Sequence, residues 1–320
     1  MHTLIQVAVA ILIRPNGEYL LASRPDGKGW AGWWEFPGGK IEASETAEQA
    51  LIREAQEELG ITPTQFRPWI KRRFDYPARP DAEAKTVLLH FFFVTAWQGT
   101  LTPREGQQLA WQRAGTPTVS PVLPANAPIM HALSLPEVYA ISHLQAMGAP
   151  AFLHALDKQL DQGLQLLQMR ENQLDASALA RLSDQVLARC APYGCRCLLN
   201  GSPEHALALG YSGVHLNSQR LMSTPRKPGG LLVGASCHSP AQLAHAQQLA
   251  LDFALLSPVL PTASHPEATG LGWPLFAEWV NGLDIPIYAL GGMRPESLAQ
   301  AQASGARGIA MQRAVWAAGG

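Results

Sequence analysis

Three glutamates, Glu54, Glu57 and Glu58, stand at i, i+3 and i+4 of a segment with helical spacing, so their carboxylates share one face. Like charges stacked this way repel, and an arbitrary glutamate-rich helix would simply turn them toward solvent. Two features point elsewhere. The opposite positions, Ala50, Leu51 and Ala55, are apolar and can pack, and the preceding Phe36-Pro37-Gly38-Gly39 is a tight turn that lets backbone approach the acidic face. Carboxylates converging beside a glycine turn suit a hard divalent cation, above all Mg²⁺, which takes a few carboxylates and fills its octahedron with water and substrate phosphate oxygens. A metal-activated water with a carboxylate beside it is the apparatus for hydrolysing a phosphoanhydride.

The elements that position these groups are legible. Thr46 with Gln49 three residues on makes a capping box, and Gly60 suits the left-handed residue after a helix end, which predicts a helix over Ala47 to Leu59. Around it, Gln6–Leu12, Tyr19–Ala22 and Thr86–Ala96 read as strands, an α+β mixture. From Val138 onward the pattern changes to short β-rich runs alternating with helical stretches such as Ala176–Leu187, Ala241–Leu249 and Glu296–Ala303. The runs are Tyr139–Ser142, Leu164–Met169, Cys197–Asn200, Gly213–Leu216, Leu231–Ala235, Phe253–Val259, Pro286–Leu290 and Gly308–Met311. Eight such repeats predict an α/β (β/α)8 barrel of TIM type, small at about 180 residues and with a last helix reduced to a stub. The Pro- and Ala-rich stretch Val119–Leu135 carries the change of pattern, so the expected domains are 1–133 and 137–317.

Composition bounds the partners. With 24 basic against 25 acidic side chains, a net charge near −1 gives no sequence-independent pull toward nucleic-acid polymers or anionic membranes, and a bound nucleotide must be held by a local site. No apolar run reaches a membrane-spanning length free of charge, and Leu4 to Ile13, followed by the turn signal Asn16-Gly17, reads as a strand. Four cysteines are too few for a disulfide scaffold, which fits a cytoplasmic protein. Cys190, Cys195 and Cys197 lie close together without a C-x-x-C pair and read as small reduced core residues rather than a metal cluster.

The spacing Gly39, Glu45, Arg53, Glu54, Glu57, Glu58, Gly60, Ile61 resembles the box of the Nudix hydrolases at every fixed position; only Ala55 departs, where a larger aliphatic is usual. The resemblance implies a mixed sheet with flanking helices and Mg²⁺, or Mn²⁺ in its place. Glu57, Glu58 and the Gly39 carbonyl would be ligands, Glu54 a further ligand or the general base, and Arg53 and Glu45 a structural pair. The flanking words Glu35-Phe36-Pro37-Gly38-Gly39-Lys40, Arg104-Glu105-Gly106-Gln107 with Trp111, and Pro124-Ala125-Asn126-Ala127-Pro128 are similar to the MutT-type branch, the 8-oxo-dGTP diphosphatases, over residues 1–133. In that branch the acid matching Glu105 completes the metal site. An amide at Asn126, which both donates and accepts, would read the oxidised guanine with the Phe36 backbone, while Arg24, Arg79 and Lys40 would meet the nucleotide or its phosphates.

The second half resembles the thiamine-phosphate synthase and TenI family of small barrels over 137–317. The words are Gln168-Met169-Arg170-Glu171, Leu199-Asn200-Gly201, Gly213-Val214-His215-Leu216, Ser236-Cys237-His238-Ser239, Ser257-Pro258-Val259-Leu260-Pro261-Thr262, and Ala289-Leu290-Gly291-Gly292 with Gly308-Ile309-Ala310. They fall at strand C-terminal ends, where barrels place their sites. Gly291 and Gly292 would turn backbone N–H groups toward a phosphate, with Arg170 and His238 as further ligand contacts. The synthase's catalytic set is incomplete. Gly201 stands where an aspartate is usual, no acid follows His215-Leu216, no basic residue follows Thr262, and Pro258 stands where the tautomerase branch has its histidine.

Two kinds of enzyme and one binding module fit these words. The first is an Mg²⁺-dependent hydrolase clearing 8-oxo-dGTP before DNA replication can incorporate it, with a barrel that binds a phosphorylated, thiamine-related ligand. The second is a thiamine-pathway protein acting through both halves. The third makes the barrel a regulatory thiamine-phosphate-binding module.

Overall fold

The computed structural model describes residues 4–78, 83–261 and 269–317. The chain divides into two compact units, Met1–Ser134 with Asn281–Asp284 and Leu135–Val280 with Ile285–Gly320. Arg79, Thr262, Ala263, Ser264 and His265 lie outside the described residues.

The first unit is built around β1 (Leu4–Leu12), whose apolar run from Val7 to Leu12 is continuous because both faces are covered from Ala8 onward. Val9 and Ile11 enter one core with Phe91 and Phe93, while Ala8, Ala10 and Leu12 enter the other with Phe92 and Val94. The further elements are β2 (Tyr19–Ser23), β3 (Trp34–Glu35), β4 (Gly38–Lys40), α1 (Ala47–Leu59), β5 (Thr62–Tyr76), β6 (Lys85–Gln98), β7 (Leu109–Gln112) and α2 (Ala127–Leu133). Four strands form a mixed sheet in the order β4-β1-β6-β5, with β1 parallel to β6 and the outer pairs antiparallel; β3-β2-β7 make a second, smaller sheet. Helix α1 packs Ala50, Leu51, Ala55 and Leu59 on one side, and α2 packs Ile129, Ala132 and Leu133 on the other.

Beside the short strands β3, β4 and β7, which the sequence pattern does not mark, two longer elements escape it for a plain physical reason. Strand β5 runs for 15 residues, but Pro63 and Pro68 interrupt it, and its register against β6 shifts beside both prolines, so no clean alternation survives. The Pro- and Ala-rich segment before the boundary contains α2, with Pro128 in its first turn, where a missing N–H costs nothing.

The second unit is a closed, all-parallel barrel of β8 (Val138–Ile141), β9 (Leu166–Met169), β10 (Arg196–Asn200), β11 (Gly213–Leu216), β12 (Leu232–Cys237), β13 (Phe253–Leu256), β14 (Ile287–Leu290) and β15 (Gly308–Met311). Each of the eight expected runs supplies one strand. The helices are α3 (Leu144–Met147), α4 (Ala149–Asp161), α5 (Ala176–Cys190), α6 (Pro203–Ala208), α7 (Ser218–Ser223), α8 (Pro240–Gln248), α9 (Gly272–Val280) and α10 (Leu298–Ala303). Among the described residues no helix follows β15, and none is long and apolar enough to cross a membrane. Inside the barrel Tyr139, Phe253 and Tyr288 fill the centre, and His215 joins them, bonded through Nδ1 to the Tyr139 hydroxyl at 3.3 Å and through Nε2 to Ser236 Oγ at 2.9 Å.

Candidate active site

The capping box forms as the spacing requires. Gln49 N–H donates to Thr46 Oγ1, and Thr46 N–H donates to Gln49 Oε1, which starts α1 at a fixed place; Gly60, left-handed at φ 70°, ends it. The acidic face of α1 then lies against β4, which is itself held on β1 through Ala8 opposite Gly39 and Val9 opposite Gly38. Side chains are excluded on both sides of this strand. A Cβ at Gly38 would meet the Ala8 carbonyl oxygen at 2.1 Å, and one at Gly39 would sit 2.1 Å from the Glu54 carboxyl. Glycine here is a requirement of close approach: backbone and carboxylate touch directly.

A cavity of about 320 Å³ opens at this contact. Gly39, Glu54, Glu58 and Glu105 line it, with Arg24 and Lys40, so six of the residues singled out by the sequence come together. Glu105 arrives from the loop before β7 and pairs with Lys28 at 2.5 Å. Glu57 does not line the cavity; its side chain is 58 % exposed and is held by Arg53 Nη1 at 3.1 Å. Phe36 and Asn126 are buried and do not line it either. Asn126 is the N-cap residue of α2, where its carbonyl accepts from Ile129 and Met130 and its side chain makes no capping bond. Leu123, three residues upstream, does reach the cavity.

One guanidinium organises the acids. Arg53 donates from Nε and Nη2 to both Glu45 oxygens, at 3.1 and 2.6 Å, from Nη2 to the Lys40 carbonyl at 2.9 Å, and from Nη1 to Glu54 Oε1 at 2.8 Å and Glu57 Oε2. All five of its N–H bonds are thereby used. Glu45 is held below the usual carboxylate range by Arg53 and by the Glu42 N–H. Burial raises Glu54 despite Arg53. Burial also pushes Glu58 up to about 8, helped by the nearby Glu105, Glu54 and Glu35 charges, and one N–H bond from Gly38 at 3.1 Å does not offset them. A carboxylate so crowded is short of positive charge, and the donor set, carboxylates plus a backbone carbonyl, fits a hard divalent cation.

The sequence pattern left several lining residues unremarked. Glu35 pairs with Arg24 at 2.6 Å and is raised by burial; Lys28, Trp30, Tyr76 and Lys85 complete the wall. Lys28 sits in the turn between β2 and β3, where no spacing rule marks it. Glu35 was visible only inside the word that it opens.

In the barrel, a cavity of about 980 Å³ lies at the C-terminal ends of the strands, and Arg170, His238, Gly291 and Gly292 all line it. His238 Nδ1 meets the Ser257 carbonyl at 2.9 Å. Gly291 and Gly292 have φ of 98° and 69°, and a Cβ on either would press on the segment 258–261, so the N–H-rich turn depends on both. Asn200, Asn217, Ser236, Arg294 and Arg313 add polar groups; among the described lining residues Glu296 is the one carboxylate.

Comparison with known proteins divides the chain in the same way. Residues 3–131 match the NUDIX domain and residues 138–315 match thiamine monophosphate synthase. The first part is 37 % identical over 126 residues to the 8-oxo-dGTP diphosphatase of Escherichia coli, covering 39 % of this chain and 93 % of that one. It is 38 % identical to the CTP pyrophosphohydrolase of the same organism, covering 39 % and 87 %. The second part is 36 % identical over 180 residues to a putative thiamine-phosphate synthase 2 of Aquifex aeolicus, covering 56 % and 96 %.

Proposed function

We propose, for a chain that belongs to the NUDIX family through residues 3–131 and to the thiamine monophosphate synthase family through residues 138–315, that its first unit hydrolyses 8-oxo-dGTP to 8-oxo-dGMP and pyrophosphate. The observation that carries this reading is the convergence of Glu54, Glu58, Glu105 and Gly39 on one cavity whose wall also holds Arg24, Lys28, Lys40 and Lys85. Nudix hydrolases work with a divalent cation; we assign Mg²⁺, with Mn²⁺ able to replace it, to Glu54, Glu58, Glu105 and the Gly39 carbonyl, with Glu57 joining them by turning from Arg53. When bound it offsets the carboxylate charge and polarises the triphosphate.

The chain's own groups do the rest. Arg24, Lys40 and Lys28 bind and orient the phosphates, Lys28 by leaving Glu105. Arg53 fixes Glu54 through Oε1, which leaves Oε2 either to ligate the cation or to take a proton from the attacking water. Water attacks a phosphorus of the triphosphate, and a phosphoanhydride bond breaks. Asn126 and the Phe36 backbone, buried in the free enzyme and outside the cavity wall, read the oxidised base once its entry uncovers them. Normal dGTP presents a different edge at N7 and C8, so it would leave buried polar groups unpaired. Acting on free nucleotides before replication uses them, the enzyme works in the cytoplasm.

The barrel binds a phosphorylated, thiamine-related ligand at Arg170, His238, Gly291 and Gly292 without the synthase's metal, because its wall is poor in carboxylates. A screen of 8-oxo-dGTP, dGTP, CTP, ADP-ribose and thiamine diphosphate with Mg²⁺ tests the first reading. Preference for 8-oxo-dGTP is expected, and Asn126→Ala should cut that preference by about 1–3 kcal/mol with little loss of turnover. Equal loss on both guanine nucleotides removes Asn126 from recognition. Calorimetry with thiamine phosphate tests the barrel; synthase turnover would overturn the metal-free reading.

A further inference from the structure

Three of the four cysteines, Cys190, Cys195 and Cys197, fall in one helix-to-strand connection of the barrel. Cys190 ends α5, a single 3-10 turn (Ala191–Tyr193) and Gly194 reverse the chain, and the Cys195 N–H closes the connection on the Cys190 carbonyl at 3.1 Å. Cys195 and Cys197 are two residues apart on the way into β10, so their side chains leave the same face of the sheet. Leu198, the next residue after Cys197, points into the barrel core, so the cysteine face is the outer one, beneath the helices. Ser212 pins Cys197 in place, its hydroxyl accepting from the Cys197 N–H at 3.1 Å and donating to the Cys197 carbonyl at 3.0 Å. All three thiols are buried, and their Sγ atoms lie within 4.8 Å of one another. Among the described residues no imidazole or carboxylate joins the group.

We propose that these thiols form a site for one thiophilic ion of low coordination number, monovalent copper, at the end of the barrel opposite its mouth. Soft thiolates select Cu(I) or zinc over hard cations. Structural zinc takes four ligands, whereas among the described residues three buried sulfurs stand here with no fourth protein ligand beside them. Metal–sulfur bonds of roughly 2.3 Å spread three trigonal sulfurs about 4 Å apart, close to the spacing already present. Each thiol that binds releases its proton to solvent, and no electron is transferred. The backbone bonds at Cys195 and Cys197 hold the donors in place before the ion arrives.

The test is an anaerobic titration of the reduced, full-length chain against Cu(I) held by the coloured chelator bicinchoninate, with Zn²⁺ run in parallel. One Cu(I) per chain should leave the chelator, and X-ray absorption of the loaded chain should show three sulfur neighbours on the copper. Cys195→Ser should abolish the transfer and Cys237→Ala should retain it, with 8-oxo-dGTP hydrolysis unchanged in both. Should Cys195→Ser fail to fold, the count of sulfur neighbours around copper in the unmodified chain decides. Failure to withdraw Cu(I), a copper without three sulfur neighbours, or preference for Zn²⁺ overturns the proposal.

Discussion

The cavity beside α1 and the mouth of the barrel differ first in charge. Glu54, Glu58, Glu105 and Glu35 crowd the smaller one, while amides, hydroxyls, arginines and a glycine turn line the larger, with Glu296 as its one described carboxylate. Both walls contain groups suited to phosphate, yet only the first has acids enough to need a cation before a polyphosphate can enter. Carboxylate content therefore separates a wall fitted for metal-assisted bond cleavage from one fitted for holding an anion.

Removing an acid should break the comparison most sharply. Glu58→Gln is expected to lower 8-oxo-dGTP hydrolysis by about 10³-fold or more, several kcal/mol of transition-state stabilisation, and to leave thiamine-phosphate binding by calorimetry untouched. A retained rate would remove Glu58 from the metal set. Gly39→Ala follows. Its methyl would collide with the Glu54 carboxyl at 2.1 Å, and a displacement of that size should cost about 10²-fold in kcat, whereas a methyl at Gly229, which has open space and no left-handed backbone, should leave the rate unchanged.

Acidity should move the two regions in opposite directions. His215, fully buried and lowered to about 3 by burial and by the Arg170 charge, stays neutral in the folded barrel. Below its ordinary value near 6.5 the unfolded chain binds the extra proton, so the barrel's stability falls as pH drops, by about 2 kcal/mol between pH 6.5 and 5. Glu58 has the reverse sign. Raised to about 8, it binds its proton in the folded, metal-free unit first, so the same drop in pH favours that fold. Urea titrations at both pH values, with His215→Asn as the flattened control, read the difference. The smallest effect belongs to Arg170→Ala, about tenfold in thiamine-phosphate affinity, with hydrolysis unchanged; a parallel loss of hydrolysis would erase the separation of roles.

Legibility followed the range of the interactions. Helix α1 could be read to its ends because its capping box and Gly60 are local chemistry, and the barrel strands because buried parallel strands are short apolar runs between helices. Strand β5 was hidden because Pro63 and Pro68 break its alternation, and α2 because its segment looks like a linker. Within the site, the α1 glutamates share a face by arithmetic alone. Glu105 came only through family resemblance, and Lys28 and Lys85 not at all, since the folded chain brings them to the cavity from distant loops and strands.

The five bonds of Arg53 carry one more implication. They tie the loop after β4 to α1 and cover part of the acidic charge with a cation that belongs to the chain. The hydrolase unit thus has its own internal counter-ion and can lose its metal without losing its shape. A chelator should silence this enzyme reversibly, as a switch, rather than unfold it.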